Sequence, residues 1–405
     1  MLYEAYQAQV DLTAPARALA SVACQTFEML PGFVTEHPMM ARLSAGCEMV
    51  TRSRLTHVRP AFGIDEVEIA GQRVGVHEEV VHSTAFGSLV HFAKEGIEGQ
   101  SRVLVVAALA GHFSTLLRGT VEGLLSDHDV YITDWHNARD VSLGYGSFGL
   151  DDYIQHLIDF LGIIGPGAHV VAVCQPCPAT LATVAVMSED GHPALPRSVI
   201  LMAGPIDTRR SPTAVNKMAR SRPIEWFEDH VVTTVPYRYT GAGRRVYPGF
   251  LQVSAFMGMN LDRHLDQHFE IYRALAEGDD VTATAAKDFY DEYFAVLDLP
   301  AEFYLQTVEA VFMHDLLPLG KLRFQGRLVN TAAIRRTAVM TVEGERDDIC
   351  GIGQTMAALD LCANVPPARK QHHLQAGVGH YGVFSGRRWQ QEICPRVSGF
   401  IAAHD

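Results

Sequence analysis

The run His169-Val170-Val171-Ala172-Val173 is apolar and rich in β-branched residues, and it stops at once on Cys174-Gln175-Pro176-Cys177-Pro178-Ala179-Thr180. A continuous apolar run of this length marks a strand buried on both faces, as in parallel sheets covered by helices. The small residues and prolines that follow suit a tight turn and then the first turn of a helix. There the amides lack internal partners and proline is tolerated. The chain is therefore expected to deliver a cysteine onto a strand–turn–helix elbow. The usual elbow reads G-x-S-x-G, and Ala172, Cys174 and Pro176 stand in the corresponding places here.

The surrounding segments extend this into an α/β chain. Arg102–Leu109, Asp129–Trp135, Ser198–Pro205, Thr337–Val342 and Lys370–Gln375 read as further strands, and Ser114–Leu125, Asp151–Leu161 and Trp389–His404 as helices. Strands alternating with helices imply right-handed crossovers and a mostly parallel central sheet. Upstream, Pro15 to about Leu30 is predicted as an amphipathic helix, with Pro15 in its first turn and Ala16, Leu19, Ala23, Phe27 and Leu30 on one stripe. Ile64–Ala70 and Gly75–Val81 read as an antiparallel hairpin turning at Gly71-Gln72. From about Asp207 to Leu322 only helical patterns and turns appear, so this block is expected to be a mainly helical cap inserted into the core. The expected division is an N-terminal helical segment over 1–60, a core over 61–206 and 323–405, and the cap over 207–322. Nearly half of the aromatic residues fall between Ser221 and Phe312. A cap core accounts for much of this density. Trp226, Phe227, Tyr237, Tyr239 and Tyr247 are candidates for lining an apolar cleft or meeting a hydrophobic surface, with Trp226, Tyr237 and Tyr239 preferred for substrate binding.

Composition narrows the function classes. With 48% hydrophobic and 20% charged residues, a large core is available and disorder is not expected. A net charge of −13 argues against a nucleic-acid partner or an anionic membrane surface. No apolar run is long enough to span a bilayer, and Met1-Leu2-Tyr3-Glu4 does not open a cationic-then-apolar leader. The seven cysteines are odd in number and suit free thiols in a reducing compartment. The expectation is a cytoplasmic protein.

The chemistry follows from three placements. A cysteine at a strand–helix turn has its thiolate favoured by the helix N-terminus, and a nearby imidazole can take its proton. An acid is expected after a later strand, and Val342-Glu343-Gly344-Glu345-Arg346-Asp347-Asp348 supplies Asp347, with Asp348 as its competitor. A histidine is expected in a loop after the last strand, and Gly377-Val378-Gly379-His380-Tyr381-Gly382 supplies His380. Nucleophile, acid, histidine is the chain order of the α/β-hydrolase triad. The oxyanion hole is then expected from the backbone N–H of Gln175 and one from the loop Leu109-Ala110-Gly111-His112, with Ala110 and Leu109 both open. His112 in that loop is a further substrate-binding candidate. Bland readings stand beside these. Cys174 and Cys177 also form a C-x-x-C, and Cys177 is expected to pack in the elbow helix. His372 and His373 lie in a strand with no second cluster of ligand spacing, so neither metal nor cofactor is expected.

At this point the residues resemble a known family. Val173-Cys174-Gln175-Pro176, the loop from Ala110-Gly111-His112-Phe113 to Arg118, Gly344-Glu345-Arg346-Asp347-Asp348-Ile349, Leu299-Pro300-Ala301-Glu302-Phe303-Tyr304 and Gly377–Gly382 look like the intracellular poly(3-hydroxybutyrate) depolymerases, over essentially the whole chain. The family's Cys–Asp–His triad falls on Cys174, Asp347 and His380. The resemblance implies cleavage of a stored polyester at the surface of cytoplasmic granules, through an acyl-thioester, to 3-hydroxybutyrate or short oligomers. The related polyester synthases share a cysteine triad but show glycine at the place of Pro176 and have a longer N-terminal region. Acyl transfer from coenzyme A thioesters is therefore the alternative. The first hundred residues are open to packing on the core, self-association into a homo-oligomer or contact with the granule.

Overall fold

The computed structural model describes residues 2–31, 37–259 and 261–405, so residues 1 and 32–36 of the expected N-terminal segment lie outside it. Its main sheet has the strands β1 (Glu66–Ile69), β2 (Gln72–Ser83), β3 (Gly87–Lys94), β4 (Arg102–Val106), β5 (Asp129–Trp135), β6 (His169–Val173), β7 (Ser198–Met202), β8 (Ala338–Gly344) and β9 (Lys370–Gln375). They lie in the order β1-β2-β3-β5-β4-β6-β7-β8-β9. The β1–β2, β2–β3 and β3–β5 pairs are antiparallel, and every pair from β5 to β9 is parallel. The fold is a mostly parallel α/β sheet of the hydrolase type.

The apolar runs explain the layering. Successive side chains of a strand point to opposite faces. Val170 and Ala172 of β6 therefore join Leu104, Val106 and Leu201 in one core, packed under the helices Leu150–Ile164 and Cys177–Glu189. Val171 and Val173 join Val103, Val105, Ile200 and Met202 in the other, under Arg118–Leu125 and Cys394–Ala402. Each fully buried valine or leucine contributes about 1.5–3 kcal/mol. β6 sits near the middle of the sheet, between β4 and β7.

The structure departs from the sequence expectation in three places. β3 is not anticipated by the pattern reading, yet it joins the β1–β2 hairpin to the parallel part of the sheet. The N-terminal helix runs from Leu2 to Glu28 with Pro15 inside it rather than in its first turn. The turn before that proline is held by Thr13 and Arg17, whose side chains donate to the carbonyls of Gln9 and Val10. Its stripe is also different, because Leu19 is exposed while Tyr3 and Ala20 are buried. Third, the inserted block contains a small antiparallel sheet of Thr233–Thr234, Arg245–Tyr247 and Leu299–Pro300 among its helices. Strands this short leave no alternation to read. Among the described residues, no helix is long and apolar enough to cross a membrane.

Burial pushes the pKa of His57 down to about 3 and those of His112 and His128 down to about 4. These histidines fold neutral, whereas the unfolded chain protonates them near 6.5. Between about pH 6.5 and pH 4 the unfolded state thus binds more protons, and stability falls with pH. Buried Asp298, raised to about 6, acts in the opposite sense from about pH 6 down, and the raised carboxyls of Glu122, Asp134, Asp140 and Glu292 act with it. His169 and His372, also pushed down by burial, act with the three histidines, whose displacements are the larger. The urea midpoint is expected to drop as pH is lowered from 6.5 towards 4. A midpoint that rises would contradict this account of the three histidines.

Candidate active site

The elbow is built from the end of β6. Cys174 has φ +69°, in the left-handed region that side chains other than glycine's disfavour by about 1–2 kcal/mol. The turn is held because the Cys174 amide donates to the Met202 carbonyl of β7 at 2.8 Å and the Cys177 amide donates back to the Cys174 carbonyl at 3.1 Å. The elbow helix Cys177–Glu189 starts there, with Pro176 as its N-cap. Its packing needs a glycine after β7. A Cβ on Gly204 would come within 2.2 Å of both Cβ and Sγ of Cys177. Cys177 is fully buried, its Sγ donates to the Ala172 carbonyl at 3.3 Å, and burial pushes its thiol well up. The two cysteines therefore sit in different surroundings, Cys174 on a cavity and Cys177 in the core.

The acid and the histidine come from the ends of β8 and β9. Asp347 is nearly buried, and its Oδ1 accepts the amides of Ile349 (2.9 Å) and Cys350 (2.8 Å). That leaves Oδ2 for His380 Nδ1, at 2.7 Å. The other ring nitrogen, His380 Nε2, lies 3.2 Å from Cys174 Sγ. Asp348, the competing acid, is exposed. The loop is fastened by buried Glu343, whose carboxylate accepts the amides of Gly353, Thr355 and Met356. Burial disfavours the His380 imidazolium, but the charges of Cys174 and Asp347 and the hydrogen bonds to both outweigh it and hold its pKa well above the ordinary value. His372 is taken up by Thr341 and His373 by Gln375.

The loop after β4 closes the third side. Gly111 has φ +95°, and a Cβ there would meet Gln252 at 2.7 Å, so only glycine lets the inserted helix Gly249–Met259 approach so closely. The cavity beside Cys174 is small, about 60 Å³, and its walls are mostly apolar. Of the two loop positions left open, Ala110 lines this cavity, whereas Leu109 packs in the core beneath. Gln175 follows Cys174 at the start of the turn, and among the described residues its buried side-chain Oε1 has no hydrogen-bond partner. His112 lines the cavity. Trp226, Tyr237 and Tyr239 do not. Trp226 stacks on His230, Tyr237 is 98% exposed, and Tyr239 donates to Gln7 and lies against Arg139. Phe113, Phe256, Tyr381 and Phe384 supply the aromatic wall instead. Aromatic density pointed to the inserted block but could not say that Phe256 is the side chain that reaches the cavity. The block is tied to the loop after β4 by Glu292, which accepts from Thr115 (2.6 Å) and Arg118 (2.7 Å).

A thiol beside an imidazole that is oriented by a carboxylate is an arrangement suited to nucleophilic acyl transfer. A family model described as PHB de-polymerase C-terminus matches residues 203–405, half of the chain, including the Asp347 and His380 loops. None of the curated proteins compared with the chain matches it. Among solved structures, it is similar to 2-hydroxy-6-oxo-6-phenylhexa-2,4-dienoate hydrolase from Rhodococcus sp. strain RHA1, with 14% identity over 81% of this chain and 99% of that one, at a TM-score of 0.44. A meta-cleavage product hydrolase from Pseudomonas fluorescens IP01 shows 15% identity over 84% and 98%, at 0.41. A bacterial membrane phospholipase A shows 14% over 99% and 96%, at 0.42.

The left-handed backbone at Cys174 gives a stability test that is independent of activity. Glycine is relaxed where alanine is strained. Cys174→Gly is therefore expected to be more stable than Cys174→Ala by about 1 kcal/mol in urea unfolding. An alanine variant at least as stable as the glycine variant would show that the elbow carries no such strain.

Proposed function

Because the chain belongs to the PHB depolymerase family and is a hydrolase, we propose that it hydrolyses poly(3-hydroxybutyrate), with Cys174 as nucleophile, His380 as general base and acid, and Asp347 orienting the imidazole. The observation that carries this reading is the continuous line Asp347 Oδ2–His380 Nδ1 (2.7 Å) and His380 Nε2–Cys174 Sγ (3.2 Å) on a strained elbow.

The steps follow from that line. His380 Nε2 takes the Cys174 proton, and the thiolate adds to an ester carbonyl of the polymer. The resulting oxyanion is held by the backbone N–H of Gln175 and, from the loop after β4, that of Ala110, with Leu109 as its alternative. The intermediate collapses as the ester C–O bond breaks, and His380 gives its proton to the leaving alkoxide. A water molecule, deprotonated by His380, then attacks the acyl-thioester and frees the acid and Cys174. No metal or cofactor takes part in this scheme. The cavity of about 60 Å³ is too small for a polymer strand, so only a short segment of the chain is proposed to enter it. Exposed Leu12, Leu19 and Val22 on the N-terminal helix, and Met29 just after it, offer apolar surface for a cytoplasmic polyester granule.

The test is incubation with amorphous polyester granules and chemical identification of what is released, with and without coenzyme A. Free 3-hydroxybutyrate or its oligomers in the absence of coenzyme A is the expected result. Cys174→Ala should lower the rate by at least about 10⁴-fold and Asp347→Asn by about 10²–10⁴-fold. Full activity of Cys174→Ala would refute the nucleophile. Polymer growth from 3-hydroxybutyryl-coenzyme A, without release, would favour the acyltransferase.

A further inference from the structure

Beside the triad, the cavity at Cys174 is lined by a histidine ring that the mechanism does not use. His112 lines the same cavity as Cys174 and His380 and is 7% exposed. Among the described residues its Nε2 has no hydrogen-bond partner. The Tyr293 backbone is a hydrogen-bonding neighbour of the ring. A neutral ring whose proton sits on Nδ1, on the side of Tyr293, leaves a lone pair on Nε2. Burial keeps the ring neutral, with its pKa pushed down to about 4. The ring is held against Phe256, at 6.3 Å between centroids and 12° between planes, and against Tyr293 at 5.1 Å. Its backbone is pinned by the bond from the Leu297 amide to the Gly111 carbonyl and by a bridge to Val296. Nε2 is thus an unpartnered acceptor on a ring that lines a cavity otherwise walled by groups such as Ala107, Ala108, Phe113, Leu116 and Phe384. A buried acceptor without a donor is destabilising, which points to a donor that arrives with the ligand.

The chemistry of a polyester limits what that donor is. Ester groups inside the chain carry only acceptor oxygens, and the chain ends in one hydroxyl donor. That hydroxyl lies on the carbon β to the carbonyl of the last unit, within a single short acyl group of the bond to be attacked. A cavity of about 60 Å³ is of the size of one short acyl group, so a terminal unit can sit in it with the rest of the chain outside. We propose that His112 Nε2 accepts a hydrogen bond from the free 3-hydroxyl of the terminal unit, so that the site selects the hydroxyl end and removes one unit at a time. The terminal unit is transferred to Cys174 and released by water as the free hydroxy acid. The alcohol oxygen that leaves becomes the new terminal hydroxyl of a chain one unit shorter. This assignment rests on the polyester-hydrolase reading above.

The test uses two soluble trimers of 3-hydroxybutyrate methyl ester, one with a free terminal hydroxyl and one with that hydroxyl O-methylated. They differ in the donor and in one methyl group. Wild-type protein is expected to cut the free trimer with kcat/KM about 10- to 100-fold higher and to release monomer first. His112→Leu should bring the ratio close to one, and His112→Gln, which keeps an acceptor oxygen at the same reach, should restore part of it. Equal rates on both trimers in the wild type, or a ratio unchanged in His112→Leu, would overturn the proposal. If His112→Leu does not fold, the wild-type comparison and His112→Gln still decide. If both trimers are cut equally and Cys174→Ala is inactive, the hydroxyl proposal fails while the hydrolase reading stands. If neither trimer nor granules are cut, the hydrolase reading fails and this proposal with it.

Discussion

The left-handed backbone at Cys174 is the constraint around which the rest of the site is arranged. A side chain other than glycine's holds that conformation only where its surroundings over-determine it. Here the restraint comes from both sides. β6 is locked between β4 and β7, and the amide of Cys174 is bonded to the last carbonyl of β7. Gly204, two residues after the end of β7, lets the elbow helix close in until the Cys177 thiol fills the place of a Cβ. The strain lifts Cys174 clear of the sheet to face His380, and the buried C-terminal ends of β6, β7 and β8 sustain it.

A second set of contacts decides how much room the site has. The inserted helix Gly249–Met259 begins at Gly249, whose amide donates to buried Asp298. Tyr3 of the N-terminal helix donates to the other oxygen of the same carboxylate, and Tyr6 stacks on Phe250 at 4.0 Å. At the far end of the block, Glu292 grips Thr115 and Arg118. The inserted block is thus anchored at this helix by the first turns of the chain and at Glu292 by the loop after β4.

The elbow and the order of the site were legible in the sequence because each rests on local chemistry. An apolar run that stops on Cys174, a strand ending at Gly344 before Asp347 and a glycine-flanked His380 are short-range patterns. The geometry that joins them is a property of the sheet order, which no single segment contains. β3 was missed because a short run beginning at Gly87 carries no more signal than a loop with apolar side chains, and pairing with β2 and β5 is what makes it a strand. Trp226, Tyr237 and Tyr239 were preferred on density alone. In the fold, burial against His230 or Arg139 and plain exposure use them up, while Phe256 and Phe384, unremarkable in sequence, reach the cavity. Composition tells how much aromatic surface an insertion has, and only packing decides which ring turns inward.

The most direct measurement of the central claim is to trap the covalent intermediate. Protein mixed with 3-hydroxybutyrate oligomers is quenched in acid during turnover, digested and examined by mass spectrometry. The account predicts a hydroxyacyl group on the peptide holding Cys174, assigned by fragmentation to Cys174 rather than Cys177 and removed by neutral hydroxylamine as a thioester would be. Rapid product formation with the acyl group on another side chain, or an adduct that persists on Cys177, would contradict it.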